Sequence, residues 1–244
     1  MNRTVWITGA SRGIGRACAE LFAADGDRVA ILYYHEREQA LAAAECCRAL
    51  GADAEIFCAD VAERAQVLDA AEQIRARFGR IDVLVNNAGI AQQKLFSDIT
   101  EQDWRRMCGV NLDGVFFCTQ AALPDLIHKK GGKIVNVSSI WGVCGSSCEV
   151  HYSASKAAVI GLTKALAKEL GPSNIQVNCI APGVIDTEMN GALTEEIRQE
   201  LCDETPLGRF GTPKEVAQAV FFLASSAADF ITGQVLSPNG GIVI

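Results

Sequence analysis

Val5-Trp6-Ile7-Thr8-Gly9-Ala10-Ser11-Arg12-Gly13-Ile14-Gly15 is the stretch on which the fold turns. The apolar residues before Thr8 read as a buried strand, the glycines as a tight turn, and residues 14–24 as an amphipathic helix. Strand, glycine turn and helix in that order make a phosphate-binding element. Glycines let the backbone approach the anion, and the helix N-terminus offers free N–H groups and the positive end of its dipole. Gly9, Ser11, Arg12, Gly13, Ile14 and Gly15 are therefore candidate cofactor contacts. The spacing is TGxxxGxG rather than GxGxxG, and a bare βα turn is the plainer alternative.

Outward from this turn, short apolar strands alternate with helical patterns along the whole chain. Strands are expected at 5–7, 29–32, 54–58, 81–85, 133–137, 175–180 and 234–236. Helices are expected at 14–24, 36–50, 63–78, from 101 after a Thr100 cap, and at 112–127, 151–170, 194–202 and 213–225. Such alternation implies an α/β fold with a parallel sheet covered on both faces. No linker or repeat interrupts it, so residues 1–244 are read as a single domain.

Bulk properties exclude several classes. Of 244 residues, 49% are hydrophobic and 21% charged, which is globular rather than disordered composition. Lys and Arg total 22 against 29 Asp and Glu, a net charge of −7 that argues against a nucleic-acid partner. No apolar run is long enough to cross a bilayer, and no signal peptide is expected from the opening residues. The 10 cysteines carry no paired CxxC spacing, so no metal site is expected. Cys18, Cys58, Cys108, Cys118 and Cys179 fall in apolar segments and are expected to pack as small hydrophobes. Cysteines without a disulfide framework imply a reducing cytoplasm.

Tyr152 and Lys156 are four apart on an expected helix, hence on one face. An ammonium beside a phenol favours phenolate, so Lys156 is expected to lower the Tyr152 pKa and fit it for proton transfer. Ser139 ends the fifth strand and can hold an oxygen beside the phenol. Its neighbour Ser138 should face the other way by strand alternation.

These motifs together resemble the short-chain dehydrogenase/reductase family over essentially the whole chain. The resemblance rests on Thr8 to Gly15, Asp60-Val61, Asn86-Asn87-Ala88-Gly89, Asn111, Ser139, Tyr152-Ser153-Ala154-Ser155-Lys156 and Pro182-Gly183. It implies a three-layer, Rossmann-type doubly wound sheet of order 3-2-1-4-5-6-7 with its crevice at the carboxyl ends of the strands. It implies ketone reduction by a nicotinamide cofactor, with Asn111, Ser139, Tyr152 and Lys156 as catalytic residues. Asn111 would hold a water in a proton relay, and Lys156 would also reach the nicotinamide ribose. Asp60 and Val61 would border the adenine. Asn87, Ala88 and Gly89 would line the cofactor, and Pro182, Gly183, Ile185 and Thr187 would border the nicotinamide. Tyr33 stands where NAD-preferring relatives carry an acid. Its place in Leu32-Tyr33-Tyr34-His35, with Arg12 nearby, points to NADP(H), although Glu36 is close.

Within the family the chain resembles the 3-oxoacyl-[acyl-carrier-protein] reductases, which implies fatty acid biosynthesis and an acyl carrier protein partner. His128, Lys129, Lys130 and Lys133 are the candidate docking patch for that acidic carrier. A sister group, which reduces the aminopentanone modification on elongation factor P, is the alternative. It is suggested by Ser139-Ile140-Trp141-Gly142 and by Cys148-Glu149-Val150-His151. Glu149 would suit an amine-bearing ketone. Gln92, Trp141 and Glu149 are accordingly the candidate substrate contacts. A non-catalytic NADP(H)-binding scaffold is the alternative of a different class. The apolar ending Ile242-Val243-Ile244 and the resemblance imply a homotetramer.

Overall fold

The computed structural model describes residues 2–191 and 193–244. Met1 and Ala192 lie outside the described residues.

Seven parallel strands run β1 (Thr4–Thr8), β2 (Arg28–Tyr33), β3 (Ala54–Cys58), β4 (Val83–Asn86), β5 (Gly132–Val137), β6 (Ile175–Ile180) and β7 (Val235–Leu236). Their order in the sheet is 3-2-1-4-5-6-7, the order expected. β1 pairs with β2 through Val5↔Val29 and with β4 through Val5↔Val83. The order reverses there, which opens a crevice beyond the carboxyl ends of these two strands.

Alternation along β1 divides the core. Val5 and Ile7 face one side, where they pack with α1 (Gly13–Ala24), α2 (Arg37–Ala49) and α9 (Pro213–Leu223). Trp6 faces the other, against α3 (Arg64–Phe78), α5 (Gly114–Lys129) and the far end of α7 (Val150–Leu170). Full burial of each such side chain contributes roughly 1.5–3 kcal/mol. Three layers result, as expected.

Some boundaries differ from expectation. The helical pattern read as two pieces is continuous: α4 (Glu101–Cys108) joins α5 through a π turn at Gly109–Asp113. A π turn adds one residue to a helical turn and shows no signature in hydrophobic period. The short α6 (Trp141–Cys144) is an unexpected element, and α8 (Glu195–Glu204) begins after a Thr194 cap. Thr100 caps α4 as expected, accepting from Asp103 N at 3.1 Å.

Two expectations need correction. Cys58 is exposed and Cys108 only half-buried, whereas Cys18, Cys118 and Cys179 are buried as expected. The strand end at Cys58 leaves the apolar segment before the thiol is covered. The basic patch also does not hold together. Lys133 is buried and paired with Asp229 at 2.6 Å, and Lys129 pairs with Asp82. Both lysines flank the amino end of β5, roughly 16 Å of strand away from the crevice edge. The sequence pattern could not reveal this, because Asp229 is far along the chain.

Candidate active site

The crevice encloses about 570 Å³, within the usual range for small-molecule sites. One end is the glycine turn. Gly9 has φ +62°, and a Cβ there would stand 2.9 Å from Ala88 Cα, so the 87–89 segment can approach only glycine. Asn87 closes the joint by donating from Nδ2 to the Thr8 and Gly9 carbonyls, each at 2.9 Å. Thr8 Oγ1 accepts from Asn87 N and Ala88 N at 3.0 and 2.9 Å. Gly15 packs behind this joint, outside the crevice wall, where a side chain would strike Gly9 O and the Asn87 amide.

The first turn of α1 has no side-chain cap and no acidic residue. Its orphan N–H groups face the crevice, so the cradle suits a diphosphate. Ser11, Arg12, Gly13 and Ile14 line it, and Tyr33, Asp60, Val61, Ala88, Gly89, Pro182, Gly183, Ile185 and Thr187 continue the wall. Thr187 leans over the turn, where a Cβ on Gly13 would come within 3.5 Å of its methyl group. These residues fit a dinucleotide with its diphosphate on α1.

Three residues in this half carry unexpected pairings. Arg12 is shared between Glu36 (3.1 Å) and Glu188 (3.3 Å). Asp60 is held by Arg106 at 2.7 Å and accepts from Ala62 N at 3.0 Å. Arg106 also lies 5.9 Å from the Tyr34 ring centroid. Sequence reading missed Arg106 and Glu188, which reach the crevice from distant segments and carry no motif.

The other end gathers buried side chains. α7 projects Tyr152 and Lys156 inward from consecutive turns, and both are buried. Ser138 turns away and donates to the Lys156 carbonyl at 2.8 Å, while Ser139 faces Tyr152, as strand alternation implied. Ser139 Oγ also accepts from Trp141 N at 3.1 Å, which seats α6 over the site. Lys156 Nζ donates to the Val137 carbonyl at 2.9 Å and lies 5.8 Å from the Tyr152 ring centroid.

The electrostatics correct one expectation. Burial pushes the phenol up to about 12; Ser139 pulls it back down, and Glu149 adds to the rise. Burial also pushes Lys156 down to about 8. Desolvation therefore outweighs the ammonium, whose nitrogen is turned toward Val137, and the phenol keeps its proton at neutral pH. Phenol and lysine sharing a helix face was legible from spacing; the sign of the shift was not.

Asn111 does not line the crevice. Its Oδ1 accepts from Ile90 N and its Nδ2 donates to Ile90 O, both at 2.9 Å, from the π turn. Nδ2 also stands 3.2 Å from Ser155 Oγ. Its side chain is thus committed as a clamp on the crevice wall. Gln92, Trp141 and Glu149 do line the crevice. Gln92, however, spends its amide on Asp103 and His151. Glu149 is half-buried, and desolvation raises its pKa. Among the described residues no cluster of metal-ligating side chains occurs and no helix is long and apolar enough to cross a membrane.

A doubly wound sheet with a glycine-turn cradle at one end of its crevice and a Ser-Tyr-Lys cluster at the other defines a nucleotide-dependent oxidoreductase. Residues 9–243 match the family described as enoyl-(acyl carrier protein) reductase. The 3-oxoacyl-[acyl-carrier-protein] reductase of Thermotoga maritima is 44% identical over 238 residues, covering 98% of this chain and 96% of the relative. The protein of that name from Staphylococcus aureus (strain Mu50) is 42% identical over 242 residues, covering 99% and 98%. The one from Aquifex aeolicus is 44% identical over 236 residues, covering 97% and 95%. The chain belongs to the short-chain dehydrogenase/reductase family. It is an enzyme acting on the CH–OH/C=O pair with a nicotinamide cofactor.

Proposed function

We propose that the enzyme reduces the 3-keto group of an acyl chain carried on acyl carrier protein to the 3-hydroxy group, with NADPH as cofactor. The observation that carries this reading is the Ser139–Tyr152–Lys156 cluster at one end of a crevice whose other end suits a diphosphate. The bound nicotinamide supplies the hydride. Ser139 and Tyr152 hold the carbonyl oxygen, and Tyr152 gives it a proton. The raised phenol pKa suits the donor role, since the proton is present until needed. Lys156 is the nearby cation that balances the phenolate left behind. Asn111 clamps the wall with its side chain and completes the catalytic set with a water in the proton relay.

NADPH is preferred over NADH because no acid ends β2 at Tyr33 and Arg12 stands at the phosphate side. The Arg12 pairs with Glu36 and Glu188 are surface-exposed, worth about 0–1 kcal/mol each, so a 2′-phosphate dianion displaces them. The enzyme acts as one domain in the cytoplasm, assembled as a homotetramer that covers its apolar C-terminal end. Neither the aminopentanone alternative nor a non-catalytic role is favoured by the relatives' names.

Two family names imply different bonds, C=C and C=O. The relatives' names favour the ketone, and a serine hydroxyl beside the Tyr152 phenol suits holding and protonating its oxygen. NADPH oxidation measured with acetoacetyl- and crotonyl-acyl carrier protein should proceed with the first and be negligible with the second. Turnover of the crotonyl substrate alone would sink the ketone assignment. NADH in place of NADPH should lower kcat/KM at least about tenfold.

A further inference from the structure

Asp103 is the third residue of α4, and its two carboxylate oxygens are used unequally. Oδ2 accepts from Lys94 Nζ (2.6 Å), Thr100 N (2.9 Å) and Thr100 Oγ1 (2.7 Å). Oδ1 accepts from Gln92 Nε2 at 3.0 Å. Lys94, then Thr100 and Gln92, hold this carboxyl well below the usual carboxylate range, so it is ionised. A carboxylate has no proton to give, which forces the Gln92 NH2 toward Asp103 and the Gln92 carbonyl away from it.

That carbonyl lies 2.9 Å from His151 Nε2. A carbonyl only accepts, so Nε2 carries the proton and Nδ1 is bare. Nδ1 indeed has no partner among the described residues, in a fully buried ring. Burial pushes this imidazole's pKa down; Asp103 opposes that and Lys94 adds to it. The charge on Asp103 thus orients the whole chain of donors, His151 to Gln92 to Asp103.

His151 and Tyr152 are neighbours in the first turn of α7, and Gln92 belongs to the crevice wall. The same wall is held at Ile90 by Asn111, and Lys94 N donates to the Cys148 carbonyl at 2.7 Å, just before α7. We propose that Asp103 and Gln92 are positioning residues for the Tyr152 phenol, which lock the first turn of α7 to the crevice wall through His151. This rests on Tyr152 as the proton donor. Gln92 therefore serves through its bonds to His151 and Asp103 rather than as a substrate contact.

The chain holds 3 histidines, so nitrogen-15 NMR of labelled imidazoles can resolve each. His151 should appear as the Nε2–H tautomer at neutral pH, with its pKa below the ordinary imidazole value. An Nδ1–H tautomer, or a His151 pKa above the ordinary imidazole value, overturns the proposal. The direction of the bonds can also be exchanged. Gln92→Glu alone sets two carboxylates face to face, and Asp103→Asn alone reverses the amide. Each should cut kcat about tenfold or more while cofactor Kd stays within about twofold, as expected for a displaced proton donor. In the double variant the new amide donates to the new carboxylate, which still accepts from His151, and Oδ1 of the Asn side chain can take over the Lys94 and Thr100 bonds. Its kcat should recover to within about threefold of wild type. A double variant no better than its weaker parent sinks the proposal. Full activity of Tyr152→Phe would remove the proton-donor reading instead, and leave the tautomer measurement standing.

Discussion

The two ends of the crevice are built from opposite materials. The nucleotide end is mostly backbone: an uncapped helix start, glycines where a side chain would collide, and an asparagine tying two turns together. The reaction end is mostly side chain: a buried phenol, a buried amine and a serine hydroxyl. Backbone dipoles cost little here, because the orphan N–H groups open on the crevice rather than on packed core. A buried amine is held against its solvation, and its pKa shows it. Binding at the first end should therefore degrade gradually on mutation, whereas chemistry at the second should fail at single atoms.

The sharpest contrast comes from Tyr152→Phe. Removing one oxygen should lower ketone-dependent kcat by about 10²–10⁴-fold and leave cofactor Kd, read by fluorescence titration, within about twofold. Retained turnover would erase the distinction between the ends.

Lys156→Met separates function from stability. Activity should fall steeply, yet the melting temperature at pH 7 should rise. The folded pKa, about 8, lies below the unfolded value near 10.5. The folded state thus binds fewer protons between these limits, and wild-type stability climbs with pH across that window. The penalty is full below about pH 8 and gone above about 10.5. Wild type should trail the variant by about 1–3 kcal/mol at pH 7, the gap closing toward pH 10.5. A constant gap in denaturant titrations would show that the amine carries no such penalty.

The smallest effect belongs to the nucleotide end. Arg12→Ala should weaken NADPH binding about tenfold and NADH binding hardly at all, as calorimetry can measure. Equal losses for both would mean that Arg12 shapes the turn rather than reading the phosphate.

The nucleotide end was the more legible in sequence, because a glycine turn between strand and helix is a local feature. Tyr152, Lys156 and Ser139 were legible too, from helix spacing and from the strand that ends just before Ser139. Their surroundings were not. Lys133 meets Asp229 across 96 residues, Asp60 meets Arg106 across 46, and His151 meets Gln92 across 59. A one-dimensional pattern carries no distance between such residues, so the basic patch, the Asp60 carboxylate and Gln92 all read as free when they are committed.

Local spacing and hydrophobic period were enough, by themselves, to establish an alternating α/β chain, its glycine cradle and a phenol one helical turn from an amine. Only folding decided how strongly water is excluded from that pair. For that reason the phenol keeps its proton instead of losing it: desolvation is a sum over everything packed around a group, and most of those atoms come from elsewhere in the chain.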